Sequence, residues 1–182
     1  MSQKLTPEMV EARRVRILDA ARWCFLNFGF ARTSLEEVSR RASLSRTSLY
    51  QVCRDKEDLF IQVFDHWLLS RLPAAHEAAA ATTSARTRLY DICQIVLLDL
   101  WSEMEVAPMS TEFHDVCERL GPQVAERQRE GVRQCVARVL GDPVVSLVFL
   151  LALEGLLTDR PTLDVLSIRV KILVDRFAGP AL

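Results

Sequence analysis

The residue types that most often do chemistry are few and scattered in this chain. There are three histidines, His66, His76 and His114, and five cysteines, Cys24, Cys53, Cys93, Cys117 and Cys135. The closest pairing is His114 with Cys117, which share a helix face at i, i+3, with Asp115 and Glu118 beside them. Nucleophilic catalysis by such a pair also needs a third group to orient the base, and a site for the oxyanion. A closed zinc site needs about four ligands in a tetrahedron. Neither set is complete, and no Gly-x-Ser-x-Gly, P-loop or dinucleotide fingerprint occurs. The expectation is therefore a protein that is not an enzyme and carries no metal or cofactor. The cysteines are odd in number and lack a CxxC pair, which fits reduced thiols and a cytoplasmic setting. Cys53 precedes Arg54, and Cys135 has Arg138 at i+3, but nearby charge alone does not make a sensor thiol. More informative is a short run of hydrogen-bonding side chains, Arg46, Thr47, Ser48 and Gln51, of the kind that meets base edges and phosphates.

The elements that must position this run read as helices almost throughout. Thr6 is a helix N-cap with Pro7 in the first turn. Val10, Ile17, Ala21, Cys24, Phe25 and Phe28 form an apolar stripe, and Gly29 ends the helix. Thr33 with Glu36 three residues on predicts a capping box for a second, short helix. Ser45 caps a third, carrying Leu49 and Tyr50, and Asp55 caps a fourth from Lys56 to about Leu72. Two short helices joined by a tight turn form a helix-turn-helix corner. Leu44 in the turn and Leu49 on the third helix supply its apolar plug, which leaves Arg46, Thr47, Ser48 and Gln51 outward. Further on, Ala74–Ala81 reads as helical extension or loop. Helices are expected from Thr83 or Ser84 to about Glu105, and over Ser110–Leu120, Pro122–Leu140, Pro143–Leu157 and Thr162–Phe177. The fold class is all-α.

Charge is distributed unevenly. Up to Lys56 there are eleven Lys/Arg against six Asp/Glu; beyond it, twelve against eighteen, although the net charge is only −1. A basic first third points to a polyanion-facing end. The N-terminus shows no apolar stretch before a small-residue cleavage site, so no signal peptide is expected. The apolar run from Val144 is about 14 residues long, short of the about 20 that cross a bilayer, so no membrane partner is expected.

The stretch Ile17 to Phe60 resembles the TetR family of bacterial regulators. The residues that carry the resemblance are Ile17-Leu18-Asp19-Ala20-Ala21, Phe28-Gly29-Phe30, Thr33-Ser34, Ala42, Leu44-Ser45, Leu49-Tyr50 and Lys56-Glu57-Asp58-Leu59-Phe60. The resemblance implies an N-terminal DNA-binding domain, here 11–71, and a C-terminal helical domain for effector binding and dimerisation, here 72–182. It implies DNA contacts at Thr33, Ser34, Ser45, Arg46, Thr47, Ser48, Tyr50, Gln51 and Lys56, with Thr33, Tyr50 and Lys56 on phosphates. An arm including Lys4 is expected to reach DNA. Ser43 stands where the family usually has the turn glycine, so a non-Gly residue with φ > 0 is expected there, at a cost of about 1 kcal/mol. Thr47 replaces a frequent Gly, Ser39 a common Ala, and Val52-Cys53 the usual His-Phe. The function implied is a repressor released from a palindromic operator by a small hydrophobic molecule. The alternatives are a metal- or thiol-responsive regulator of the same fold, or an activator.

Trp67, Ile92, Val96, Trp101, Phe113 and Phe149, with Met104 and Met109, are the candidates to line an apolar effector pocket between helices. The segment Val144–Leu157 is apolar on more sides than one buried face needs. With the stripe of Thr162–Phe177 it is expected to form a homodimer, through Leu147, Leu150, Leu151, Glu154, Ile168 and Ile172. Glu154 is expected at the rim or paired with Arg169 or Lys171, because a buried unpaired carboxylate is costly.

Overall fold

The computed structural model describes residues 6–179. Among them the order is α1 (Pro7–Phe28), α2 (Leu35–Arg41), α3 (Arg46–Tyr50), α4 (Lys56–Leu69), α5 (Leu72–Ala80), α6 (Ala85–Cys93), a π-helical segment (Gln94–Leu98), α7 (Asp99–Glu105), α8 (Ser110–Leu120), α9 (Pro122–Leu140), α10 (Pro143–Gly155) and α11 (Leu163–Phe177). Caps form as expected at Thr6 and Ser45, and Ser84 and Thr162 cap the helices expected to begin there; each side chain accepts a backbone N–H from the first turn. The cap of α2 lies one residue later than expected. Ser34 and Glu37 make the capping box, while the Thr33 hydroxyl donates to the Gly29 carbonyl at 2.7 Å. Both registers satisfy the sequence rule, since Glu36 and Glu37 are adjacent. The hydrogen bond to Gly29 takes Thr33 out of the competition. The alanine-rich stretch is helix α5, with Ala75 and Ala79 fully buried.

The helices group into two compact units. The first holds the residues up to Trp67 together with Ala107–Val124; the second holds Leu68–Val106 and Ala125–Leu182. This differs from a single cut at 71/72, because α8 belongs with the N-terminal helices. In the first unit an aromatic chain explains why. Phe25, Phe60 and Phe113 are fully buried. The ring centroids of Phe60 and Phe113 lie 5.0 Å apart, and Trp67 meets Phe113 edge-on at 5.5 Å. Backbone bonds add to this: the Met109 N–H donates to Leu26 O at 3.0 Å.

In the second unit Ile92, Val96, Cys135, Val136, Phe149, Leu153, Leu166, Val170 and Val174 form the core. α10 buries Ser146, Phe149, Leu150 and Leu153, one helical stripe. Val144, Leu147, Val148 and Leu151 form a second, exposed stripe, and α11 likewise leaves Val165, Ile168 and Ile172 exposed. Leu150, expected at an intermolecular interface, is only 5% exposed and packs in its own unit. Glu154 pairs with Arg129 at 2.7 Å, while Arg169, one of its expected partners, is held by Asp159 through two 2.6 Å hydrogen bonds.

Candidate nucleic-acid interface

The site is the corner between α2 and α3. Ser43 has φ 53, the left-handed conformation that the turn requires. The turn is braced from α1, where the Arg16 guanidinium donates to the Ala42 carbonyl at 2.7 Å. The Leu44 N–H continues the turn by donating to Ser39 O at 3.0 Å. Leu49 is buried, and Leu44 half-buried, as an apolar plug demands.

The corner leaves polar side chains outward. Arg46, Thr47, Tyr50 and Gln51 are exposed. Ser45 is exposed too, and its hydroxyl caps α3 through Ser48 N at 3.2 Å. Ser48 is half-buried, with its Oγ 3.0 Å from that of Ser45. Ser34 is exposed at the start of α2. Thr33 is placed differently from the phosphate contact expected of it: it is 2% exposed and bonded to Gly29. Lys56 is half-buried, its ammonium donating to the carbonyls of Phe30 at 2.9 Å and Ala31 at 3.2 Å, and lying 4.7 Å from the Phe30 ring. It therefore braces the α1–α2 turn. Glu112 of α8 holds the other side of that turn, accepting the Ala31 N–H at 2.9 Å. Asp55 caps α4 by accepting Asp58 N at 2.8 Å. Lys4 lies outside the described residues.

Sequence reasoning missed a polar groove beside the corner, lined by Arg32, Glu36, Glu37, Arg40, Leu44 and Arg46. Its signal was the Glu36-Glu37 doublet: only one of the two can close the capping box. Glu37 does so, and the hydrogen bonds from Ser34 hold its carboxyl below the usual glutamate range. Glu36 instead forms an ion pair with Arg46. The neighbouring Arg41 stacks on Trp23, while Arg40 lines the groove.

The other chemistry weighed in the sequence is placed as follows. Cys24, Cys53, Cys93 and Cys135 are buried and Cys117 is half-buried. Burial pushes every one of these thiols up, Cys53 to about 11 and Cys93 to about 12. They are protonated at neutral pH, the unreactive form. His114, Asp115 and Glu118 bring one ligand atom each within 4.8 Å of the others, on the surface of α8. Of the effector-pocket candidates, Trp67 and Phe113 lie in the core of the first unit, while Ile92, Val96 and Phe149 are buried in the second, with Trp101 packed against them. Trp101 donates its indole N–H to Pro161 O at 2.9 Å. Among the described residues, no helix is long and apolar enough to cross a membrane.

Residues 17–63 match the family model described as bacterial regulatory proteins, tetR family. The HTH-type transcriptional repressor Rv1474c of Mycobacterium tuberculosis is 33% identical over 57 residues, which span 31% of this chain and only 30% of that relative. The fold extends further. A TetR family transcription regulator from Marinobacter aquaeolei superposes with a TM-score of 0.66 at 16% identity, covering 95% of this chain and 96% of the other. SmeT, the repressor of the Stenotrophomonas maltophilia multidrug efflux pump SmeDEF, gives 0.63 at 19% identity, covering 90% and 87%; it is also known in complex with triclosan.

Proposed function

We propose, from the match of residues 17–63 to the TetR family model and from a fold shared with TetR-family regulators over nearly the whole chain, that this chain is a TetR-type repressor that binds a palindromic operator and leaves it when a small hydrophobic molecule binds. The observation that carries the reading is the braced α2–α3 corner, which turns Arg46, Thr47, Tyr50 and Gln51 outward on a helix of the first unit. A short helix so mounted enters a major groove with its N-terminal side chains on base edges. Ser34, Ser45 and Ser48 then hold backbone phosphates, and the start of α4 offers its first backbone N–H groups to a phosphate while the Lys56 ammonium stays on the Phe30 and Ala31 carbonyls.

The effector is proposed to lodge in the second unit, near Ile92, Val96, Trp101 and Phe149. Two observations support that place. The helix carrying Ile92 and Val96 widens into a π-helical turn at Gln94–Leu98, a distortion frequent at functional sites. The fold is also that of SmeT, a protein known in complex with triclosan. Binding there shifts the population toward a state that fits the operator poorly. The protein acts in the cytoplasm, where its DNA is.

A mobility-shift assay with the DNA upstream of its own gene tests the reading. Retardation that weakens steeply with salt, and is relieved by hydrophobic candidates, is expected. No retardation of any duplex at physiological salt overturns it. The surface set of His114, Asp115 and Glu118 favours a metal-responsive reading as the second choice, and zinc added to the same assay decides between them.

A further inference from the structure

We propose that Glu36 is a positioning residue for specificity: its carboxylate holds the Arg46 guanidinium so that Arg46 reads one base of the operator instead of drifting to a phosphate. The proposal rests on the DNA-binding reading of the α2–α3 corner. Its starting point is the division of labour in the acidic doublet. Glu37 is occupied at the cap of α2, accepting from Ser34 N at 2.8 Å and Ser34 Oγ at 3.0 Å. Glu36 has no part in that cap and reaches ten residues along the chain to Arg46.

Stability gives little reason for the pair. The side chains are 68% and 62% exposed, and exposed ion pairs add little to folding. On a surface meant to meet phosphates, a carboxylate also weakens binding to every sequence. A residue costly to affinity is accounted for if it improves discrimination. Arg46 sits in the first turn of α3, where base contacts are made. Arginine carries five N–H donors in a rigid fork. One Nη faces Glu36, which leaves the other donors for the O6 and N7 acceptors of a guanine. Freed from Glu36, the long side chain gains rotamers that reach the backbone phosphates. Arg32 and Arg40 line the same groove, so phosphate attraction survives there without Arg46.

The test is selection by the full chain from a pool of duplexes with a randomised palindromic core, followed by the same selection with Arg46→Ala, Glu36→Gln and both together. Circular dichroism melts check that all are folded. The expected result is that Arg46→Ala erases the preference at one base position of each half-site. Glu36→Gln should loosen that same position by about fivefold or more and bind random duplex more tightly. The double variant should match Arg46→Ala there. A merely structural Glu36 would loosen all positions together, and that outcome overturns the proposal. So does an unchanged selection with Glu36→Gln, or with Arg46→Ala. If the wild type enriches no sequence at all, the DNA-binding reading itself falls, and the proposal with it.

Discussion

At the scale of single residues, the turn between α1 and α2 is fixed by four hydrogen bonds that three side chains make to Gly29, Phe30 and Ala31. Lys56 holds the carbonyls of Phe30 and Ala31, Glu112 holds the Ala31 N–H, and Thr33 donates to Gly29 O. Gly29 makes the arrangement possible. It has φ 86, and a Cβ there would lie 2.1 Å from Oε2 of Glu112. Two separate costs follow for Gly29→Ala, the left-handed backbone and the displaced carboxylate. We expect a loss of about 1–3 kcal/mol in a denaturant melt. Glu112→Ala in the same chain removes the carboxylate clash and leaves the backbone cost and the contact with the Met109 methyl, so the double variant should lose less than the two single losses combined. Additive losses would show that Glu112 does not crowd Gly29. The sequence showed Gly29 as a helix terminator, since glycine after a periodic stripe is a local signal. It did not show the closeness of Glu112, which lies 83 residues away and is brought in by the packing of Phe113 on Phe60.

At the scale of elements, capping chemistry decided most helix starts, and caps are written in two or three neighbouring residues. That is why Thr6, Ser45, Ser84 and Thr162 were legible, and why the start of α2 was off by one: Thr33 and Ser34 each have a glutamate three residues on. The Ser34–Glu37 box makes α2 sensitive to acid. The carboxyl of Glu37 is held below its ordinary value by the Ser34 hydrogen bonds. A lowered folded value means that the box stabilises above the unfolded glutamate pKa of about 4.3 and loses that contribution as pH falls through the folded value. Glu37→Gln should therefore be less stable than wild type at pH 7 and approach it below about pH 4 in parallel urea melts. A constant gap across that range would mean that the Glu37 charge takes no part. What the elements did not disclose was the Glu36–Arg46 pair, which depends on the angle between α2 and α3. The membership of α8 was equally hidden, because an amphipathic helix does not say which neighbour its apolar face will cover.

At the scale of the whole molecule, the second unit buries one stripe of α10 and leaves another, equally apolar, in water. Val144, Leu147, Val148 and Leu151 recur at i, i+3, i+4 and i+7, on the side away from Phe149 and Leu153. On α11, Val165, Ile168 and Ile172 repeat the pattern opposite Leu166, Val170 and Val174. Helices that are apolar on two sides have two partners, and only one of them is supplied within the described chain. We propose that a second copy, related by a two-fold axis, offers the same stripes and closes a four-helix bundle. Such a dimer suits a palindromic operator, with two α3 helices about 34 Å apart in successive major grooves. Glu154, paired with Arg129, then stays at the rim with its charge satisfied. Leu150 is a poor place to test this, because its side chain is buried within the unit and a charge there would damage the core. Leu147 and Ile168 are 49% and 60% exposed, so Leu147→Glu with Ile168→Glu leaves the core intact. Light scattering at micromolar concentration should give a dimer for the wild type and a monomer for this pair, with unchanged helix content. Operator affinity should fall with the loss of dimerisation, since one α3 reads only a few base pairs. A monomeric wild type, or a variant that remains dimeric, would place the exposed stripes outside any self-association.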